Sequence, residues 1–166
     1  MGEPVFQLSE IVVLCWRSLT FNLLKRYIAR KFPHVESITP QALAKWLEDA
    51  AKTQPILLDA RSEAEYEVSH LWQARRIDPD DANLTALAEV SKQTPIVVYC
   101  SVGYRSAAVA SRLVEGGIER VYNLEGSIFQ WVNEGYPVFK YERRTMLVHR
   151  YNWLWGKLLK PQYRAG

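Results

Sequence analysis

Cys100, Gly103, Arg105 and Ser106 have the types and the spacing that nucleophilic sulfur chemistry needs. Four apolar or aromatic residues, Ile96-Val97-Val98-Tyr99, read as a buried strand that stops at Cys100. Ser101, Val102, Gly103, Tyr104 and Arg105 follow as a tight loop, and a helix is expected from Ser106 through Val114. A helix start leaves backbone N–H groups unpaired, and the helix dipole adds positive potential at the same place. A thiol held there is expected to ionise below the roughly 8.5 of a free cysteine. Gly103 permits close backbone approach, Arg105 supplies fixed positive charge, and Ser106 can cap the helix. A cysteine ending a strand is more commonly a small buried hydrophobe. The residues after Cys100 tip the reading toward a thiolate nucleophile in an anion-holding cradle.

The elements needed to position that loop can be read along the chain. Residues 5–32 carry Leu8, Val12, Cys15, Leu19 and Leu23 at helical spacing, widened by Trp16, Leu24, Tyr27 and Ile28. Phe32-Pro33-His34 ends this helix, which reads as an extension outside the catalytic domain. Docking of its stripe on the domain or on the C-terminal tail is the expected use of such a face. From Val35 onward, strands alternate with helices. Strands are expected at Ile38, at Pro55–Asp59, at Ala74–Ile77, before Cys100, and at Val121–Leu124. Helices are expected after Thr39-Pro40, after Ser62, from Ala82 to Ser91, from Ser106 to Gly116, and after Gly126. This alternation predicts an α/β fold, a parallel five-stranded sheet with helices on both faces. Ligands of such sheets bind beyond the carboxyl ends of the strands, where Cys100 falls. Met146–Leu159 repeats Leu147, Tyr151, Leu154 and Leu158 at helical spacing, so a helical C-terminal extension is expected.

Composition narrows the classes. Two cysteines, Cys15 and Cys100, form no disulfide framework and suit a reducing, cytoplasmic compartment. His34, His70 and His149 lack metal-ligand spacing, so no metal and no cofactor are expected. There is no run of 18 apolar residues and no signal-peptide pattern. The net charge of +3 is uneven. Residues 1–40 hold five basic and three acidic groups, residues 41–139 nine and fourteen, and residues 140–166 seven and one. An acidic middle with a basic tail does not suit nucleic acid, whereas the tail suits an anionic surface.

Two blocks of residues 35–139 resemble the rhodanese family of single-domain sulfurtransferases. One is Leu58-Asp59-Ala60-Arg61-Ser62-Glu63-Ala64-Glu65-Tyr66 with His70. The other runs from Val98 through Ser106, then Gly117, Val121 to Ser127, Trp131, and Gly135-Tyr136-Pro137-Val138. The resemblance implies transfer of a sulfane sulfur from thiosulfate or a persulfide to cyanide or a thiol. Cys100 would be the nucleophile that carries the sulfur as a persulfide. The amides of Ser101, Val102, Gly103, Tyr104, Arg105 and Ser106 would stabilise it, Arg105 would help hold an anionic donor, and Tyr104 would line the entrance. Arg61 is a further candidate at the pocket edge, although an Asp59–Arg61 ion pair is the structural alternative. His70 and Trp131 are expected in structural roles. The chain departs from the family at Ser69-His70-Leu71-Trp72-Gln73-Ala74, where Gly-His-Ile-Pro-Gly-Ala is frequent. Ser101 stands where a basic residue is frequent in relatives that use thiosulfate.

Cysteine-based phosphatases share the cradle but place five residues between cysteine and arginine, against four here. The smaller ring suits a sulfur atom better than a phosphoryl group. A rhodanese-like binding module, or a sulfur carrier without efficient turnover, is the alternative outside enzyme chemistry. The expected organisation is an extension over residues 1–34, a rhodanese domain over 35–139, and a basic aromatic tail over 140–166. The two extensions are aromatic and basic, a composition that suits peripheral contact with anionic lipid. Their packing together, or a dimer, is the alternative.

Overall fold

A computed structural model describes residues 8–80 and 90–165, and of residues 8–15 the backbone alone. Five parallel strands make the main sheet: β1 (Glu36–Ile38), β2 (Ile56–Asp59), β3 (Arg75–Arg76), β4 (Ile96–Tyr99) and β5 (Val121–Leu124). Their order across the sheet is β1-β5-β4-β2-β3. β4 is therefore central and every one of its residues is buried, which is why it reads as an unbroken apolar run rather than an alternating one.

Alternation along β4 divides its side chains between two cores. Val97 and Tyr99 join Leu57 and Leu124 on one face. That face is covered by α2 (Pro40–Glu48) through Leu43, and by α5 (Ser127–Asn133) through Ile128, Phe129 and Val132. Ile96, Val98 and Cys100 face the other way, against Val109, Ala110 and Leu113 of α4 (Tyr104–Glu115). The polar starts of the helices are built as their sequences direct. Thr39 Oγ1 accepts from the Ala42 amide, with Pro40 in the first turn. Ser62 and Glu65 form a capping box at α3 (Glu63–Val68). The helix expected at Ala82–Ser91 lies almost wholly outside the described residues.

The N-terminal helix α1 (Leu8–Lys31) forms, but its apolar residues do not make one stripe. Phe21 and Ile28 are buried against the domain, with Leu24 half-buried beside them. Leu19 and Leu23, expected to be inward, are 59% and 55% exposed. The helix is apolar on two sides, and Leu19 and Leu23 lie on the side away from the core that holds Phe21. Nor does it stand apart: Phe21 belongs to the main core.

The expected C-terminal helix is realised only as two short 3-10 turns, Trp155–Leu158 and Pro161–Tyr163. Before them, β6 (Val138–Lys140) and β7 (Arg143–Thr145) pair as an antiparallel hairpin. Tyr141 and Glu142 at its turn both have positive φ, which matches the twist of the strands. Left-handed Tyr151 breaks the helical path. Asn152 Oδ1 then accepts from the Trp155 amide and starts the 3-10 turn. Val148, Leu158 and Leu159 are buried in the same core as Phe21.

The divergent loop at Ser69–Ala74 keeps a defined shape. Gln73 takes φ +57°, the left-handed conformation natural to the glycine frequent at that place. His70 pairs with Phe139 through two backbone hydrogen bonds and stacks on Tyr66, a structural role.

Candidate active site

Cys100 lies at the carboxyl end of the central strand, 1% exposed, with its sulfur beside the first turn of α4. The Gly103 amide donates to Sγ at 3.1 Å. It can do so because Gly103 has φ +112°, which folds the loop back over the sulfur. The helix begins two residues earlier than its sequence suggests. Gly103 is the N-cap residue, and no side chain caps the helix. Ser106 is instead buried in the first turn, 3.4 Å from Sγ, and donates to Asn123 Oδ1 at 2.7 Å. The first intrahelical bond runs from the Ala107 amide to the Gly103 carbonyl. The amides of Tyr104, Arg105 and Ser106 precede that ladder and have no acceptor within it.

Two residues with no assigned role in the sequence hold this cradle. Asn123, on β5, donates from Nδ2 to the Gly103 carbonyl at 3.0 Å while receiving the Ser106 hydroxyl. Ser127 Oγ accepts from the Cys100 amide at 3.0 Å and lies 4.0 Å from Sγ. Both fall in the block Val121–Ser127, but their role depends on the β4–β5 pairing, which brings them beside the loop.

Glu65 is the third such residue. Besides capping α3, its carboxylate accepts from Arg105 at 2.8 and 3.0 Å and from the Ser101 hydroxyl at 2.8 Å. Burial alone would raise the Glu65 carboxyl, but Arg105, the Ser62 amide and the Ser101 hydroxyl hold it at about 2. Arg105 thus carries its charge to the pocket already matched by a buried anion. The capping-box spacing from Ser62 was the legible signal for Glu65; its second link, to the cysteine loop, had none.

Arg61 is not at the pocket edge. It is fully buried, bonded to both oxygens of Asp59 at 2.8 and 2.6 Å and to the Ser69 carbonyl. Burial opposes its charge, but the Asp59 carboxylate more than offsets this and holds its pKa above the ordinary value. It ties the β2 end to the following loop and has no contact with the cavity.

The cavity over Cys100 has a volume of about 250 Å³. Its floor is Cys100, Ser101 and Val102, with Tyr104 and Arg105 on one side. The remaining walls come from outside the domain: Leu24 and Tyr27 of α1, and Tyr151 and Trp155 of the C-terminal segment. Tyr104 stacks on Tyr27 at 6.1 Å, and Lys31 bonds to its hydroxyl. The Arg105 guanidinium lies 4.8 Å from the Tyr151 ring. The extensions are therefore part of the site, not appendages to it.

A strand-end cysteine under helix amides, in a five-stranded parallel sheet of this order, defines a class. The model of the rhodanese-like domain matches residues 39–134, and the chain belongs to that family. A sulfurtransferase of Allochromatium vinosum is 30% identical over 104 residues, 63% of this chain and 94% of that protein. The tRNA uridine(34) hydroxylase of Bordetella petrii is 26% identical over 147 residues, 80% of this chain. This chain spans 58% of that hydroxylase's length. The crystal structure of a rhodanese-like domain protein from Staphylococcus aureus is 26% identical, with a TM-score of 0.55 over 64% of this chain and 98% of that one.

Proposed function

We propose that this protein is a sulfurtransferase that works through a persulfide on Cys100. The observation that carries this reading is the Gly103 amide 3.1 Å from Sγ, at the mouth of a helix whose next amides are free of the helical ladder. Deprotonated Sγ attacks the outer sulfur of a donor persulfide. The donor S–S bond breaks, its electron pair leaves with the donor thiolate, and Cys100 becomes Cys–S–S⁻. An acceptor thiolate then attacks the outer sulfur and regenerates the Cys100 thiolate. No net oxidation occurs, and the two half-reactions are ping-pong. The Gly103 amide on Sγ, with the helix start behind it, would act as a preorganised donor to the terminal sulfur anion.

The donor favoured by this site is a persulfide rather than thiosulfate. Glu65 already matches the Arg105 charge, and the cavity walls are mainly apolar and aromatic, a poor setting for a dianion. The cytoplasmic setting that the cysteine usage suggests would supply thiol acceptors.

Mass spectrometry after incubation with a persulfide donor tests the reading. Wild type should gain one sulfur atom, lose it on addition of a thiol or cyanide, and Cys100→Ser should gain none. Loading without discharge would favour a sulfur carrier, and no loading from any donor would favour a binding module.

A further inference from the structure

A helix that only has to dock on its own domain needs one apolar face. The helix α1 has two. Phe21, Leu24 and Ile28 serve the domain, while Trp16, Leu19, Leu23 and Tyr27 form a second stripe at helical spacing, all exposed. That stripe borders the catalytic cavity, because Tyr27 is also one of its walls. Across the mouth the C-terminal segment presents Tyr151, Trp153 and Leu154, with Trp153 71% exposed. The two sides are joined behind by the Arg17 side chain, which donates to the Lys157 carbonyl at 3.1 Å. Lys157 in turn covers the Trp153 ring at 3.7 Å.

Beyond Glu10 in its first turn, α1 carries only basic charges, as does the chain after Glu142. No Asp or Glu occurs between Ile11 and Val35, nor anywhere after Glu142. Arg26, Arg30, Lys31 and Arg150 are exposed among or beside the apolar residues. Arg30 continues the register of Tyr27, one helical turn on. Exposed Trp, Tyr and Leu with cations and no carboxylates match the chemistry of an anionic bilayer interface. Among the described residues no helix is long and apolar enough to cross a membrane.

We propose that α1 and the C-terminal aromatic segment together form a surface that docks on an anionic lipid bilayer, with the mouth of the Cys100 cavity inside the docked face. The occupant is the bilayer, not a second copy or an acidic protein. The docking does not rest on the sulfur chemistry, and the two readings can fail separately.

Flotation of the full chain with phosphatidylcholine vesicles, with and without phosphatidylglycerol, tests it. The protein should float with the anionic vesicles, stay behind with the neutral ones, and be released as salt rises. Leu23→Glu and Trp153→Glu should each weaken flotation roughly tenfold, the scale set by losing one buried apolar side chain. Both should keep the wild-type circular dichroism and sulfur loading on Cys100. Cys100→Ser should float like wild type. Absence of flotation on anionic vesicles, or unchanged flotation of both Glu variants, overturns the proposal. A dimer in sedimentation that Leu23→Glu converts to monomer also overturns it, because a second copy would then cover the face.

Discussion

Arg105 and Glu65 meet through two parallel hydrogen bonds, 2.8 and 3.0 Å, that tie the cysteine loop to the start of α3. The carboxylate is 2% exposed, so this is a bond between a pocket cation and an interior anion. It fixes the loop and at the same time cancels the charge that the loop would otherwise show to a donor.

Glu65→Gln should therefore do two opposite things. It should lower stability by about 3 kcal/mol, the scale for removing one partner of a buried pair. Urea unfolding measures this. It should also lower the KM for thiosulfate, because Arg105 is left unmatched at the cavity. Wild-type thiosulfate:cyanide turnover is expected to be measurable but weaker than transfer from a persulfide. An unchanged thiosulfate KM in the variant would show that Glu65 does not set donor choice.

Acid should act through the same carboxylate. Its folded pKa of about 2 lies below the ordinary 4.5, so the fold gains stability from it above the unfolded value. That contribution, about 3 kcal/mol at neutral pH, is lost as pH falls from about 4.5 toward 2. Urea midpoints measured down this range should fall more steeply for wild type than for Glu65→Gln.

Gly103→Ala tests the cradle itself. A Cβ there would meet Ile28 Cδ1 at 3.4 Å, which is ordinary contact, so space is not the obstacle. The obstacle is φ +112°, a conformation that costs an L-residue about 1–2 kcal/mol. Relief of that strain would turn the amide away from Sγ. Persulfide loading should slow by on the order of tenfold or more, while melting shows only a modest loss.

Gln73→Gly should run the other way. Gln73 is exposed and left-handed, so its side chain contributes no core contact while its Cβ is strained. Glycine should raise stability by about 1 kcal/mol in the same unfolding measurement.

The centre of the sheet was legible because β2 and β4 are short apolar runs introduced by Pro55 and Pro95, each a local signal. Cys100, Gly103 and Tyr104 were legible for the same reason. The rest depended on three-dimensional neighbours. Ser106 read as a cap because serine commonly is one, yet Gly103 opens the helix and Asn123 on another strand claims the hydroxyl. Arg61 and Arg105 look alike in sequence, and only their partners, Asp59 within β2 and Glu65 across the loop, separate the structural arginine from the pocket one. The stripe of α1 was visible, but its direction was not, since apolar residues occupy both sides. At Met146–Leu159 a 3.6-residue pattern coincided with a path that Tyr151 and the buried Leu158–Leu159 pair had already made non-helical.

A fragment trimmed to residues 39–134 would keep the sulfur-bearing loop yet shed Leu24, Tyr27, Tyr151 and Trp155, and leave a hole where Phe21 and Leu159 had packed. What such a fragment accepted would say little about what the whole chain accepts. Grafting both ends onto another domain of this kind should transplant selectivity without touching the nucleophile.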